Sequence, residues 1–554
     1  MTGREGEADV AGPGGGGPGR AAVDAPPVPW APEAGVPALV PARRRPAPWF
    51  LVLASGAVAL LLFSPLAFLL VEAHGAGTAT IARLIWRPLT GILLWNTVRL
   101  TVVVTAACAV IGTLTAWCVE RTDLPGRRVW AVLVVVPFAI PDFVVSFGWA
   151  SLSTWMHGFR GAVIVMTLAV YPLVHLPVAA SLRAADPGLE ETARSLGLGA
   201  VRTFFRVTLR HARGAILGGC VLVTLVILAE YGAFEILGYQ TFTTEIFTEF
   251  NSFSVPTACA LSLVLIVLGV LVLGGDAAAR GKGRTVRTAA FAQRAMRRHR
   301  LGRGTLPALA GFTLLTGLAL GVPVGASFYW MFGARPEAFG GVSVLDAGWH
   351  TALYSGVAAA LATLLALPVA LLAVRHGSRT GRLLERSAYL VMAMPGLVIA
   401  LALSYFSVRY AHSFGFQTAP LLIVAYVILF FPLALVGVRA SVAHAPPRLE
   451  EVARSLGLSR TAVFGRVTLP LIGPGLAASF CLVFLAAVTE LTATLLLVPS
   501  GVQTLATQFW QYQTNLSYGQ AAPFALVIIA VAAVPSYLIG RYFDRLPTRA
   551  ANPS

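Results

Sequence analysis

About twelve apolar segments of membrane-spanning length dominate this 554-residue sequence. A helix needs about 20 apolar residues to cross a hydrocarbon layer of about 30 Å. Apolar residues make up 57% of the chain and charged residues 12%, whereas soluble domains average about 45–50% and 25%. We therefore expect an all-α polytopic membrane protein with about twelve transmembrane helices, and not a soluble enzyme, a disordered chain or a secreted disulfide scaffold. The runs are 49–71, 92–118, 129–156, 161–183, 213–237, 254–275, 305–332, 350–374, 387–411, 418–440, 473–498 and 521–541.

The formal net charge of +17 is distributed unevenly between these runs. Arginines concentrate in the gaps 119–128, 276–304 and 375–386, whereas the gaps 238–253 and 499–520 contain no basic residue. Loops rich in Lys and Arg stay on the cytoplasmic side of a membrane. The charge therefore predicts that both termini lie in the cytoplasm, and nucleic-acid binding is a poor alternative.

An internal repeat divides the chain into two halves. Residues 189–210 read LEETARSLGLGAVRTFFRVTLR and residues 449–470 read LEEVARSLGLSRTAVFGRVTLP, with 14 of 22 positions identical. The same offset of 260 relates Glu230 to Glu490, and an offset of 254 relates Trp95 to Trp349, Thr97 to Thr351 and Pro141 to Pro395. Equal topology of the halves predicts two parallel six-helix repeats about an axis along the membrane normal.

The repeat sets the expected domain organisation. A Gly-, Pro- and Ala-rich segment opens the chain without the apolar core of a signal peptide, and a basic segment separates the two halves. The expected parts are a disordered cytoplasmic tail (1–48), a first module (49–275), a cytoplasmic linker (276–304), a second module (305–545) and a C-terminal tail (546–554).

Each repeated segment predicts a short amphipathic helix. In the first copy Asp186 and Pro187 suit the helix start and Gly197 the helix end, as Gly457 does in the second. Such a helix could lie on the membrane surface, but a matched pair favours docking of a twofold-related partner. Apolar residues three or four apart form one stripe and Glu precedes Arg by four residues. The stripes are Leu189, Ala193 and Leu196, and Leu449, Ala453 and Leu456; the ion pairs are Glu190–Arg194 and Glu450–Arg454.

These segments resemble the EAA motif of binding-protein-dependent ABC importer permeases. The motif residues are Glu191, Ala193, Gly197 and Leu209, and Glu451, Ala453, Gly457 and Leu469-Pro470, with Arg210 in place of the first proline. The resemblance implies the type I permease fold and a location in the bacterial inner membrane. It further implies a separate ATPase in two copies that uses ATP and Mg, and an extracytoplasmic substrate-binding protein. It also implies that the loops 184–212 and 441–472 carry coupling helices that dock on the ATPase. The implied coupling residues are Leu189, Glu190, Glu191, Ala193, Leu196, Gly197, Leu449, Glu450, Glu451, Ala453, Leu456 and Gly457.

The chain cannot hydrolyse ATP through a phosphate-binding loop of its own. Such a loop needs Lys followed by Ser or Thr, and the only lysine, Lys282, is followed by Gly283. We expect a transport subunit and not an enzyme, with no cofactor and no metal site in this chain. A self-contained secondary transporter is the less favoured alternative.

Residues around the fifth apolar run of each half suggest the substrate. The segments 230–234 (EYGAF), 238–245 (GYQTFTTE) and 490–495 (ELTATL) resemble those of ferric iron permeases and, more loosely, thiamine permeases. Ferric iron is the favoured substrate, with thiamine or another small solute as alternatives.

Glu230 and Glu490 lie within these apolar runs, where a charge costs roughly 2.5–3.5 kcal/mol. They are candidate transport-pathway contacts for a hard cation, or else form a packing hydrogen bond or a gate-stabilising pair. Asp142 is better explained by a helix-end role. Under the resemblance, Tyr239, Glu245, Glu249 and Tyr512 would contact the binding protein, although a solvated loop or short closing helices would fit them equally.

Overall fold

The computed structural model describes residues 48–75, 77–185, 187–280, 298–333, 343–376, 379–410 and 417–545. The predicted N-terminal tail up to residue 47, most of the linker, the C-terminal tail and the capping role of Asp186 lie outside the described residues.

Helices account for nearly all of the described backbone in the first half. In chain order they are α1 (Trp49–Gly75), α2 (Thr78–Ile85), α3 (Pro88–Arg121), α4 (Arg127–Leu133), α5 (Asp142–Ala150), α6 (Gly158–Val170), α7 (Pro172–Ala184), α8 (Pro187–Ser195), α9 (Ala200–Thr203), α10 (Leu209–Ala229), α11 (Gly232–Ile236), α12 (Phe242–Asn251) and α13 (Val255–Arg280).

The second half repeats this order. Its helices are α14 (Thr305–Thr316), α15 (Val322–Gly333), α16 (Val344–Leu371), α17 (Arg379–Leu390), α18 (Gly396–Tyr410), α19 (Ala419–His444), α20 (Pro447–Ser455), α21 (Arg460–Val463), α22 (Leu469–Val488), α23 (Thr492–Leu497), α24 (Leu505–Thr514) and α25 (Tyr518–Arg545). Equivalent π-helical segments, Phe204–Thr208 and Phe464–Thr468, join α9 to α10 and α21 to α22.

The apolar runs of the sequence form helices within the described residues, some of them broken, which confirms an all-α polytopic membrane protein. Nine described helices or helix combinations are long and apolar enough to span a bilayer, and a bent pair makes a tenth. The ninth and twelfth runs form the shorter apolar helices Gly396–Tyr410 and Tyr518–Val534 within the described residues. The expectation of about twelve full crossings is therefore refined to nine or ten spans and two shorter helices.

The third run is not one straight helix. Its two parts, Arg127–Ala139 and Asp142–Ala150, meet at 90° around Pro141. Proline lacks the N–H that would continue a helix, and it forces the preceding residue into an extended conformation, as Ile140 shows (φ −86°, ψ 126°). In the second half Met394, before Pro395, is likewise extended (φ −99°, ψ 112°).

The two sequence halves are interleaved in space. Helix α1 packs against α16, α17 and α18 of the second half, and α15 packs against α5 of the first half. Close backbone approach supports this exchange, because a Cβ on Gly148 would lie 2.6 Å from the Pro323 Cα atom. The hydrophobic cores therefore do not follow the boundary between the two modules.

Two cores result from this exchange. One joins α1, α12 and α13 to most of the second half, and the other joins α3 to α7, α10 and α11 with α14, α24 and α25. Many large apolar side chains remain exposed on the long helices, including Leu60, Val102 and Leu271. Such surface suits a bilayer, where lipid takes the place of water around the helices.

Candidate functional site

The repeated segments form equivalent helices, α8 and α20, and each ends at a glycine. Gly197 and Gly457 have φ values of +82° and +86°, which only glycine adopts without strain. In both copies the N–H of the residue after the glycine closes the turn on the carbonyl four residues before the glycine, Leu198 on Ala193 and Leu458 on Ala453. The helix and its glycine stop agree with the sequence expectation.

One acidic residue anchors α8 to the membrane helices. Glu190 Oε1 lies 3.4 Å from Arg121 Nε at the end of α3, and both side chains are only 4% exposed. The Thr208 hydroxyl, in the π-helical segment, donates to the same oxygen at 2.9 Å. This carboxylate therefore points inward. The expected pair with Arg194 stays a prediction, because the side chain of Arg194 lies outside the described residues.

Helix α20 is anchored by the equivalent residues. Arg375 Nη2 donates to Glu450 Oε1 at 2.9 Å and to the Ala445 carbonyl at 3.0 Å. The predicted pair with Arg454 is present at 3.8 Å but is secondary. Glu450 and Arg375 are more exposed than their counterparts, at 18% and 14%.

The opposite side of each repeat helix faces outward. Ala193 and Ala453 are buried, whereas Leu196 and Leu456 are 77% and 76% exposed. The expected single apolar stripe is thus divided, because the small alanine packs inward and the leucine at the helix end points away. Glu191, Glu451, Leu449 and Val452 are also exposed, and the side chain of Leu189 lies outside the described residues. Together these side chains form an exposed patch on each repeat helix.

Glu230 and Glu490 lie at helix breaks, not inside helices as the apolar runs predicted. Helix α10 ends at Ala229 and Glu230 is extended (φ −73°, ψ 133°). Its Oε1 accepts the Ala233 N–H at 2.7 Å, and Glu490 Oε1 accepts the Ala493 N–H at 2.8 Å. Each carboxylate therefore caps the short helix that follows, α11 or α23, where a negative charge is favoured.

The two breaks meet at the contact between the halves. A Cβ on Gly232 would lie 2.5 Å from the Leu491 Cδ2 atom and 3.1 Å from the Phe143 Cβ atom, so only glycine fits beside the other half. Glu230 interacts electrostatically with both Asp142 and Glu490, and all three keep partial solvent exposure. Within the described ranges, however, no group of three His, Cys, Asp or Glu residues is arranged to hold a metal ion.

Asp142 distinguishes the halves at this position. It opens α5 directly after Pro141, as expected for a helix-end residue. Its counterpart, Gly396, has no side chain, and a Cβ there would lie 3.3 Å from the Glu490 Oε1 atom. The first half thus contributes two carboxylates to this region and the second half one.

The residues expected to meet a binding protein occupy different environments. Tyr239 is buried, with its hydroxyl donating to the Asn96 carbonyl at 3.0 Å, so it supports the loop from inside. Glu245 and Glu249 lie 3.6 and 3.1 Å from Arg87 Nη2. The pKa of Glu245 is raised, because burial and then the nearby Glu249 outweigh the lowering by Arg87. Tyr512 is half-buried and stacks on Phe524.

Sequence reasoning missed Arg121 and Arg375 as site residues. Both were interpreted only as charges that report topology. The offset of 254 that relates Thr97 to Thr351 also relates these two arginines. This repeat equivalence is the sequence signal that identifies them as a matched pair.

Comparisons with known proteins agree with this architecture. A family model described as "Binding-protein-dependent transport system inner membrane component" matches residues 110–279 and again residues 358–549. The Fe(3+)-transport system permease protein FbpB 2 of Haemophilus influenzae is 37% identical over 503 residues, which cover 90% of this chain and 99% of that protein.

Two further relatives match less of the chain. The ferric transport system permease protein FbpB of Actinobacillus pleuropneumoniae is 21% identical over 458 residues, covering 74% of this chain and 65% of that protein. The sulfate transport system permease protein CysT of Salmonella typhimurium is 30% identical over 186 residues, covering 30% and 67%.

Proposed function

Because the chain belongs to the family of binding-protein-dependent transport system inner membrane components, we propose that it is the permease subunit of an ATP-driven importer for ferric iron. The relative that is 37% identical over 503 residues, a protein named for Fe(3+) transport, carries this proposal.

The acidic contact between the halves supports a cationic substrate. Gly232 packs against Leu491 and Phe143 at this contact. Glu230, Glu490 and Asp142 each lie within two residues of one of these three positions. Carboxyl oxygens suit hard cations, and these three acidic residues offer no cationic group to a dianion such as sulfate. Sulfate permeases match only part of this chain, so sulfate is the weaker candidate.

The repeat helices support coupling to an ATPase. In this proposal both termini, α8 and α20 lie in the cytoplasm, and two copies of a separate ATPase bind the exposed residues around Leu196 and Leu456. ATP and Mg act in that partner. A binding protein delivers the substrate on the other side, where α12 and α24 lie. Closure of the ATPase dimer moves the two halves and exposes the pathway alternately.

Uptake in a strain that lacks this chain tests the substrate. We expect uptake of radiolabelled Fe³⁺ to be lost and uptake of radiolabelled sulfate to be unchanged, with Fe³⁺ uptake restored by the wild-type chain. The strain must contain no other iron importer. Normal Fe³⁺ uptake in it overturns the ferric proposal, and loss of sulfate uptake alone assigns the chain to sulfate.

A paired substitution tests the pathway role of the two glutamates. Glu230→Gln with Glu490→Gln removes both charges, but the amide oxygens still accept the Ala233 and Ala493 N–H groups. If the charge contacts the cation, transport falls while the protein stays folded. Full transport by this variant, together with loss of stability in the Glu→Ala pair, reduces both residues to helix caps.

A further inference from the structure

Helices α3 and α16 are each held by side-chain contacts near both ends. We propose that they act as struts that connect the coupling helices to the short helices α12 and α24, with Arg121, Arg375, Thr97 and Thr351 as positioning residues. The inference rests on the proposed function, because it assumes that α8 and α20 receive the motion of an ATPase.

The first contact of each strut is the arginine at its end. Arg121 is the last residue of α3, and it pairs with Glu190 at 3.4 Å in a fully buried setting. Arg375 follows α16 in its π-helical extension Leu372–His376 and holds both Glu450 and the Ala445 carbonyl. A displacement of α8 or α20 therefore pulls on the helix to which it is paired.

The second contact is a threonine hydroxyl. The Phe242 N–H, at the start of α12, donates to Thr97 Oγ1 at 3.3 Å, and the Leu505 N–H, at the start of α24, donates to Thr351 Oγ1 at 2.9 Å. The first N–H groups of a helix have no partner inside the helix, so these threonines fix where α12 and α24 begin. Both threonines are buried.

The spacing of the contacts is the same in the two halves. Twenty-four residues separate Thr97 from Arg121 and Thr351 from Arg375, which corresponds to about 36 Å along a helix. That distance exceeds the hydrocarbon thickness of about 30 Å. One unbroken helical segment therefore connects the two sides of the membrane in each half.

The far end of α3 is linked through α12 to the helix break at Glu230. Thr243, the second residue of α12, donates its hydroxyl to the Glu230 carbonyl at 2.5 Å. In the first half Asn96 provides a second contact between α3 and the residues before α12, since its Nδ2 donates to the Gln240 carbonyl at 3.2 Å. A shift of α3 along its axis therefore reaches Glu230 through α12, in addition to the direct packing of α3 against α10.

The test uses the complete importer in proteoliposomes, with its ATPase and its binding protein loaded with Fe³⁺. Thr97→Val with Thr351→Val removes both hydroxyl acceptors and nearly preserves side-chain volume. We expect the ratio of binding-protein-stimulated to unstimulated ATP hydrolysis to fall at least fivefold, although the changed residues lie about 36 Å from the coupling-helix contacts. Thr101→Val is the matched control, because this buried hydroxyl donates only within α3, to the Thr97 carbonyl.

Further variants separate a strut from a structural role. Thr97→Ser with Thr351→Ser keeps the hydroxyls and should restore the ratio. Adding Arg121→Gln and Arg375→Gln to the valine variant should lower the ratio little further, because the contacts at the two ends of each strut act in series. A wild-type ratio in the valine variant, failure of the serine rescue or full additivity overturns the strut proposal. Absence of stimulation in the unmodified importer instead overturns the proposed function.

Discussion

The ion pairs that anchor the repeat helices α8 and α20 use identical residue types at repeat-equivalent positions, yet their surroundings differ. Arg121 and Glu190 are both 4% exposed, and the Thr208 hydroxyl donates a hydrogen bond to Glu190. Arg375 and Glu450 reach 14% and 18%, and Arg375 also binds the Ala445 carbonyl. Sequence pseudo-symmetry therefore does not imply equal energetics, because the value of an ion pair depends on how far water reaches it.

The largest expected effect comes from removing the buried carboxylate. Glu190→Ala leaves the Arg121 guanidinium buried without this partner, which typically costs about 3–5 kcal/mol. Glu450→Ala should cost less, about 1.5–3 kcal/mol, the usual value of a hydrogen bond to a charged group. Thermal unfolding of the purified permease should therefore show a larger fall in Tm for Glu190→Ala.

The exposed neighbour Glu191 supplies the control for this comparison. Glu191→Ala should leave the Tm unchanged, because its side chain faces solvent. Equal falls in Tm for Glu190→Ala and Glu450→Ala would show that the difference in burial has no energetic consequence.

The glycine stops should behave alike in the two halves, in contrast to the anchors. A Cβ on Gly197 or Gly457 would meet no atom within 4 Å, so the cost of a substitution comes from the backbone alone, about 1–2 kcal/mol. A change of 1.4 kcal/mol shifts an equilibrium tenfold. We expect Gly197→Val and Gly457→Val to lower uptake per ATP hydrolysed by similar factors, about tenfold each, and together to uncouple hydrolysis from transport.

Gly199 is the matched control in the same loop. It has no positive φ and open space around its Cα atom, and its counterpart in the second half is Ser459. Gly199→Ser should therefore transport normally. Wild-type uptake and coupled hydrolysis in the Gly197→Val/Gly457→Val double variant would remove the coupling role of both glycines.

Local patterns predicted these helices well because their causes are local. Capping, a four-residue period and a glycine stop located α8 and α20 and the two glycines with positive φ. The breaks at Glu230 and Glu490 were missed because the apolar runs continue through them, and hydropathy contains no information on backbone direction. The Arg121 pair and the exchange of α1 and α15 depend on tertiary packing, which composition does not determine.

The smallest effect concerns Arg210, the residue that departs from the family motif. Proline in a helix interior costs about 3 kcal/mol because its ring meets the carbonyl four residues before it. Pro470 follows the widened π-helical turn Phe464–Thr468, and the first half has the same turn at Phe204–Thr208 before Arg210. The backbone of the first half is thus already shaped for proline, and Arg210→Pro should change the free energy of unfolding by less than about 1 kcal/mol. Ala215→Pro, within regular α10, should show the full cost in the same thermal unfolding measurement. A comparable loss in both variants would mean that the π-helical turn does not explain why the second half accepts its proline.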